Sequence, residues 1–192
     1  MTRALWIVAV SLPLAAQPKF LINAPVDTRA VPVNLDQEFR KLVATAQPQW
    51  IGYSVPASRN AGPGCNSSPG VVHLEPPQEV VILFRVETKA VEQIRTLSAD
   101  CQIDAGGVQV HWLTGVKPSD GAALLATFVM DADSRLQRQA ISALTSVSEG
   151  VPALIQLAKS TSDVALRRQV INSLQQSRDP RASVFFEDVL KH

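Results

Sequence analysis

The sequence predicts an α+β protein: an N-terminal antiparallel β-sheet domain with one helix, followed by a short C-terminal α-solenoid of helical hairpins. Three observations lead to this prediction. The segment Leu136–Leu144 (LQRQAISAL) returns thirty positions later as Leu166–Leu174 (LRRQVINSL). Residues 49–115 are rich in β-branched and aromatic residues, often alternating with polar ones. From Pro118 onward the hydrophobic period changes from about 2 to about 3.6 residues.

Composition narrows the class of protein. The 192 residues are 46% hydrophobic and 18% charged, which is typical of globular proteins and not of disordered ones. The formal net charge is +1, and there is no run of Lys or Arg that would neutralise a phosphate backbone. Nucleic acid is therefore not expected as the partner.

Residues 1–16 are predicted to be a secretory signal peptide. Arg3 precedes an uncharged apolar stretch, which ends in a break at Pro13 and the small residues Ala15 and Ala16. The apolar run is about thirteen residues, too short to cross a membrane, which takes about twenty. We therefore expect an exported protein, periplasmic or extracellular, with no membrane span in the mature chain. A buried N-terminal helix or an uncleaved anchor is the alternative.

Two cysteines, Cys65 and Cys101, are the full complement of the chain. In an oxidising compartment a disulfide between them is the expected state, and closing this loop would contribute about 3–4 kcal/mol. Two unpaired thiols are the alternative. A nucleophilic pair of Cys101 with His111 would require Cys101 to be reduced.

The predicted N-terminal domain spans residues 17–117. Residues 17–35 contain three prolines and indicate an extended arm without a helix. Asp36 opens an amphipathic pattern that predicts a helix at about 36–46, ended by Pro48. A tight turn is expected at Thr88-Lys89. Strands are predicted at about 50–55, 71–74, 79–86, 90–97 and 108–113.

The predicted solenoid spans residues 118–192 and is organised by the thirty-residue repeat. Asp133 and Asp163 take equivalent places where a helix N-cap belongs. Arg138 and Arg168 follow them by five residues, which predicts a structural Asp–Arg pair in each repeat.

These residues resemble the HEAT-repeat family, in its short bacterial form, also called phycobilisome-lyase-type repeats. The resemblance is carried by Asp163–Leu174 (DVALRRQVINSL) and by the turn Asp179–Ala182 (DPRA), which is typical of the family. The preceding copy departs from it with the shorter turn Ser148–Val151 (SEGV). The resemblance covers about residues 120–192 and implies stacked helix pairs. Because so few repeats are marginal alone, we expect the first repeat helix to pack on the β domain.

No residue pattern in the chain predicts a catalytic site, a cofactor site or a metal site. His73 and His111 match no zinc-ligand spacing. Repeat proteins bind through polar helix faces, and an ordinary solvated face is the alternative reading of such positions. The candidate partner-binding face consists of Gln137, Gln139, Arg167, Gln169 and Asn172.

The predicted function is that of an exported HEAT-like repeat protein, a non-catalytic interaction or scaffold module for an unidentified protein partner. One alternative is a small-ligand pocket on the sheet near Trp50 and Trp112, with the solenoid as its cap; Tyr53 and Phe84 would belong to the same groove, or all four aromatics would be core. Another is an enzyme-assisting factor similar to the bilin lyases of the repeat family. The predicted signal peptide counts against it, because those proteins act on cytosolic targets.

Overall fold

The computed structural model describes residues 18–31, 34–58 and 77–191. The predicted signal peptide, Cys65, His73 and the predicted strand at 71–74 lie outside these residues. The strands in the described chain are β1 Leu21–Ile22, β2 Val26–Ala30, β3 Gln49–Pro56, β4 Glu79–Glu87, β5 Ala90–Ser98, β6 Ile103–Asp104 and β7 Val110–Thr114. The helices there are α1 Leu35–Val43, α2 Pro118–Val129, α3 Ser134–Ser146, α4 Gly150–Ser160, α5 Val164–Gln175 and α6 Pro180–Lys191.

The main sheet is mixed, with the strand order β2-β7-β3-β4-β5. The predicted antiparallel pattern holds for β3, β4 and β5 but is wrong for β7, which runs parallel to both β2 and β3. The chain leaves β5, pairs β6 with β1 in a small parallel sheet, and then places β7 between β2 and β3. The predicted arm at 17–35 therefore supplies two strands, because its extended backbone pairs with β6 and β7, which come near the end of the N-terminal domain in the sequence.

The turn between β4 and β5 lies where it was predicted. Thr88 and Lys89 have φ values of 48° and 65°, so both adopt the left-handed conformation. Two consecutive residues of this kind match the right-handed twist of a hairpin. This turn brings β5 back beside β4 as the edge strand.

Helix α1 begins after Asn34, whose side chain accepts the Gln37 N–H at 3.0 Å. It ends at Val43, earlier than the predicted residue 46. The Leu42 carbonyl accepts hydrogen bonds from the Thr45 hydroxyl at 2.8 Å and the Gln49 amide at 2.6 Å. These side chains satisfy a carbonyl at the helix end, so the chain turns away before Pro48.

One hydrophobic core runs without a break from α1, across one face of the sheet, into the repeat helices as far as α6. Tyr53 and Phe84 are fully buried in this core. The Tyr53 hydroxyl donates to the Gly121 carbonyl of α2 at 3.0 Å, and burial raises the pKa of Tyr53. A Cβ on Gly121 would lie 3.1 Å from the Tyr53 ring, so the absent side chain allows close packing here. The first repeat helix thus packs on the sheet, as expected.

A second, smaller core covers the opposite face of the sheet. Trp112 lies in it with its ring 5.2 Å from that of Phe20, and Cys101 is only 5% exposed beside them. Trp50 borders this core under the guanidinium of Arg85, at 5.6 Å. The aromatic residues near the predicted pocket therefore pack on two different faces of the sheet. The disulfide of Cys101 with Cys65 stays a prediction.

No helix among the described residues combines the length and apolar character that crossing a membrane requires. The predicted domain boundary at residues 117 and 118 also stays a prediction, and the main core is continuous across it.

Candidate functional site

The repeat helices form two layers. Helices α2, α4 and α6 pack in one layer, and α3 packs beside α5 in the other. Strand β5, at the edge of the sheet, packs against α3. The sheet therefore stands where a preceding repeat would lie, and it closes this end of the solenoid.

Asp133 and Asp163 are the N-caps of α3 and α5, where the repeat placed them. The Asp133 carboxylate accepts the Arg135 N–H at 2.7 Å, and Asp163 accepts two N–H groups in the same way. Backbone hydrogen bonding, chiefly from Arg135, holds the pKa of Asp133 below its ordinary value. Both carboxylates satisfy N–H groups that a helix start otherwise leaves without partners.

Arg138 and Arg168, the predicted partners of these carboxylates, are exposed on α3 and α5. The guanidinium within 4 Å of Asp133 is that of Arg135, at 3.6 Å, and Arg138 acts on Asp133 only through a weaker, longer-range charge. Among the described residues, no carboxylate forms an ion pair with Arg138 or Arg168. In this structure the two guanidinium groups face solvent instead of bridging to Asp133 and Asp163.

Two residues of the candidate partner-binding face serve the fold instead. The Gln137 amide donates to the Val129 carbonyl at 3.0 Å, and the guanidinium of Arg167 donates to the Thr161 carbonyl. Both carbonyls lie at the C-terminal end of the preceding helix, where intrahelical partners are lacking. Gln137 and Arg167 therefore join successive helices from equivalent positions of the repeat.

Gln139, a third residue of the candidate face, links α3 to the sheet. Its Oε1 accepts the Ile94 N–H of β5 at 2.9 Å. Arg135, one turn earlier on α3, lies 3.7 Å from Glu92, two residues earlier on β5. The step from Arg135 to Gln139 is about 6.0 Å along the helix, and the step from Glu92 to Ile94 is about 6.6 Å along the strand. Because the two steps have nearly the same length and both follow the chain direction, β5 runs alongside α3 in the same direction.

The remaining two residues of the candidate face lie on α5. Asn172 is exposed, whereas Gln169 is half-buried in a groove of about 420 Å³ between α3 and α5. Within the described chain, no hydrogen bond uses the side chain of Gln169; its backbone carbonyl accepts from Ser173. The polar side chains that line this α3–α5 groove include Arg138, Ser142, Thr145, Gln169, Ser173 and Gln176.

Five polar residues of the groove were missed in the sequence, namely Ser142, Thr145, Ser173, Gln176 and Ser177. Ser173 and Gln176 follow Gln169 by four and seven positions, so they form one stripe along α5. Ser142 and Thr145 follow Arg138 with the same spacing on α3. These positions repeat with the helical period, just as the apolar residues do, and this period among the polar residues is the signal that could have identified the groove.

A second depression, the junction cleft, lies where the sheet meets the solenoid and has a volume of about 790 Å³. Its floor is apolar and includes Phe39, Leu124 and Phe128, and its rim is charged. On this rim Arg40 is paired with Asp36 at 2.7 Å. The other charged residues of the rim are Lys89, Glu92, Asp131 and Asp133.

His111 takes part in a cluster of polar side chains on β2 and β7. Its Nδ1 lies 3.1 Å from the Asp27 carboxylate, which also binds Arg29 at 2.7 Å. The hydrogen bond from Arg29 is the main cause that lowers the pKa of Asp27. His111 is in register with Ile51, whose side chain lies in the main core, whereas Cys101 packs on the opposite face. The hypothetical Cys101–His111 pair is therefore not formed.

A metal site is also not found in the described part of the chain. No group of three or more His, Cys, Asp and Glu side chains there is arranged to hold an ion. The sites that the structure does offer are grooves between elements.

The fold defines an α+β protein whose helical part is a two-layer repeat solenoid closed by a sheet. Residues 111–192, which include helices α2 to α6, match the family model of HEAT repeats. No curated protein and no solved structure matches the chain. The match begins in β7 and does not include strands β1 to β6.

Proposed function

We propose that this chain is an exported, non-catalytic interaction module that binds a protein partner through the second layer of its HEAT repeats. The observation that carries the proposal is the α3–α5 groove, whose polar side chains include that of Gln169, which makes no hydrogen bond within the described chain. Repeats of this family commonly present such faces to other proteins. The first end of the solenoid is covered by the sheet, which directs binding to the helices beyond it.

Charge indicates the character of the partner surface. Arg138 and Arg168 occupy equivalent positions on adjacent helices and both are exposed. Guanidinium groups without an internal carboxylate can bind carboxylates of a partner in forked geometry. An acidic surface or segment therefore fits this face best.

Affinity capture tests the interaction. The bait is the tagged chain from Gln17 onward, with the extracytoplasmic fraction of the native source as the sample. We expect one protein to be enriched by the wild type and lost with the charge reversal Arg138→Glu/Arg168→Glu. The control Arg95→Glu/Lys117→Glu reverses the same number of exposed charges elsewhere and should retain the partner. Equal capture by both variants, or no enrichment by the wild type, would refute the proposal.

Export and the disulfide are part of the same proposal. The signal-like residues 1–16 support export, and the burial of Cys101 in the second core supports a covalent link rather than a reactive thiol. The intact mass of the secreted protein should correspond to cleavage after Ala16. Thiol labelling of the unreduced, unfolded protein should find no reactive cysteine, and two labelled thiols would refute the disulfide.

The junction cleft favours a second candidate function, the binding of a small amphipathic ligand. It combines an apolar floor with a charged rim, which is typical of small-molecule sites. Trp50 and Trp112 lie toward the other face of the sheet, so Trp fluorescence would be a poor reporter. A thermal-shift screen with the wild type and with Thr127→Trp, which fills the cleft, is the better test. A ligand that stabilises only the wild type supports this function.

A further inference from the structure

We propose that the α3–α5 groove binds an extended peptide segment of the partner, and that the Gln169 side chain accepts one of its backbone N–H groups. This inference rests on the proposed interaction function and specifies the form that the partner takes in the groove. It follows from comparing two equivalent positions of the repeat within the same molecule.

The molecule contains its own example of the interaction. On α3, the Gln139 side chain accepts a backbone N–H from β5, an extended segment that runs alongside the helix. A second contact, between Glu92 and Arg135, keeps the same register two strand residues earlier. A helix of this repeat can therefore hold an extended chain through a Gln at this position.

Gln169 stands thirty positions after Gln139, at the same place on α5. Both side chains point toward the element that precedes their helix in the second layer: β5 for Gln139, and α3 across the groove for Gln169. The Gln139 amide is occupied by the strand, whereas the Gln169 amide has no hydrogen-bond partner among the described residues. Beside α5 the place of β5 is taken by α3, and the groove between these two helices leaves the Gln169 amide open to an extended segment.

The spacing along α5 suits an extended backbone. Gln169, Ser173 and Gln176 form one polar stripe, and the first two are separated by about 6.0 Å of helix rise. Backbone groups on one edge of an extended chain recur about every 6.6 Å. Successive side chains of the stripe can therefore meet successive N–H or C=O groups of a peptide.

Arg138 adds a preference for charge. It lies on the α3 wall of the groove, and no carboxylate of the described chain is paired with it. The other polar side chains named for this groove carry no charge. A peptide with an acidic side chain opposite Arg138 satisfies the groove better than a neutral or basic one.

A peptide-display selection on the full chain tests the inference. The probe is a phage-displayed library of random octapeptides, and the best sequence is synthesised with a fluorescent label for anisotropy titration. We expect enrichment of peptides that carry Asp or Glu among residues of high β-propensity. Gln169→Leu should weaken the binding of this peptide about tenfold, as expected for the loss of a backbone hydrogen bond. Arg138→Glu should abolish the preference for acidic peptides.

The matched control is Gln175→Leu, which makes the same change on the same helix at an exposed position away from the groove. It should leave the affinity unchanged. The backbone nitrogens of the peptide can also be methylated one at a time. Methylation of the nitrogen that donates to Gln169 should weaken binding as Gln169→Leu does, and methylation of the other nitrogens should not reproduce this effect. Equal affinity of the two Gln variants, or a selection that enriches no peptide, would overturn the inference. If affinity capture still depends on Arg138 and Arg168 in that case, the interaction function stands and the partner binds as a folded surface.

Discussion

Replacing Gln139 by Leu removes the side-chain acceptor that joins α3 to the edge strand of the sheet. Leu has nearly the same volume, so packing changes little and the lost hydrogen bond dominates. Its donor, the Ile94 N–H, belongs to a residue that is only 4% exposed, so water cannot readily replace the acceptor. An unsatisfied buried donor costs about 1–2 kcal/mol of unfolding free energy. Gln139→Leu should therefore destabilise the protein by this amount.

The repeat supplies a matched comparison. Gln169→Leu is the same substitution at the equivalent position of α5, where no internal hydrogen bond is lost. It should change the unfolding free energy by less than about 0.5 kcal/mol, because this half-buried side chain borders an open groove and makes no internal hydrogen bond. The difference between the two variants isolates the hydrogen bond from the general effect of replacing Gln by Leu on a helix.

Urea unfolding followed by far-ultraviolet circular dichroism measures both variants. With a slope of about 2 kcal/mol per molar urea, Gln139→Leu should lower the midpoint by about 0.5–1 M, and Gln169→Leu by less than about 0.3 M. The slope itself should not change. Equal midpoints for the two variants would contradict the assignment of the Gln139–Ile94 bond, and with it the internal example on which the peptide inference rests.

Three further predictions concern other parts of the molecule. Tyr53→Phe should cost about 1 kcal/mol in urea unfolding, because it deletes the buried bond from the sheet to α2. Asp27 has a lowered pKa through its hydrogen bond from Arg29, so its contribution to stability is present above its unfolded pKa and lost as pH falls through the folded value. The free energy of unfolding, measured at several pH values from about 5 to 2, should therefore decrease less steeply with falling pH for Asp27→Asn than for the wild type. Reduction should lower the melting temperature of the wild type but not of Cys65→Ser/Cys101→Ser, and identical melting of oxidised and reduced wild type would count against the disulfide.

The helical repeats could be predicted because their signals are local. An Asp N-cap, a period of 3.6 and small residues on the apolar face all lie within one helix, and Asp133 and Asp163 are indeed the caps of α3 and α5. The thirty-residue repeat then placed both helices in equivalent surroundings. The repeat does not predict what lies beside each helix, as Gln139 and Gln169 show. They are the same residue at equivalent positions, but Gln139 lies beside a strand and Gln169 beside an open groove.

The sheet could be predicted only in part. Alternation of apolar and polar residues identifies strands and their buried faces, which is why β3, β4 and β5 were found. It carries no information on strand direction, so the parallel placement of β7 was missed. The strand β2 was also missed, because Val26–Ala30 is short and bordered by prolines, and it becomes a strand only through pairing with β7.

The residues of the candidate site could be predicted only in part, for a related reason. Polar residues on the repeat helices were expected to face a partner, yet Gln137 and Arg167 bind carbonyls of the preceding helices. Whether a polar side chain is used internally depends on what lies across from it in space. A single sequence shows which residues share a face of a helix, but it does not show which element packs against that face.

The parallel pairing of β2 with β7 has a consequence for the order of folding. Asp27 and His111 are direct neighbours across these strands although 84 positions separate them in the chain. Closing such a long loop is entropically costly until both ends are held, and the β3–β4–β5 meander and the helices can form from contacts much closer in sequence. The first strand of the main sheet is thus expected to dock last, after almost the entire domain has been synthesised. Until then, β7 offers an unpaired edge beside β3, which is the point at which a folding chain of this protein is most exposed to pairing with another molecule.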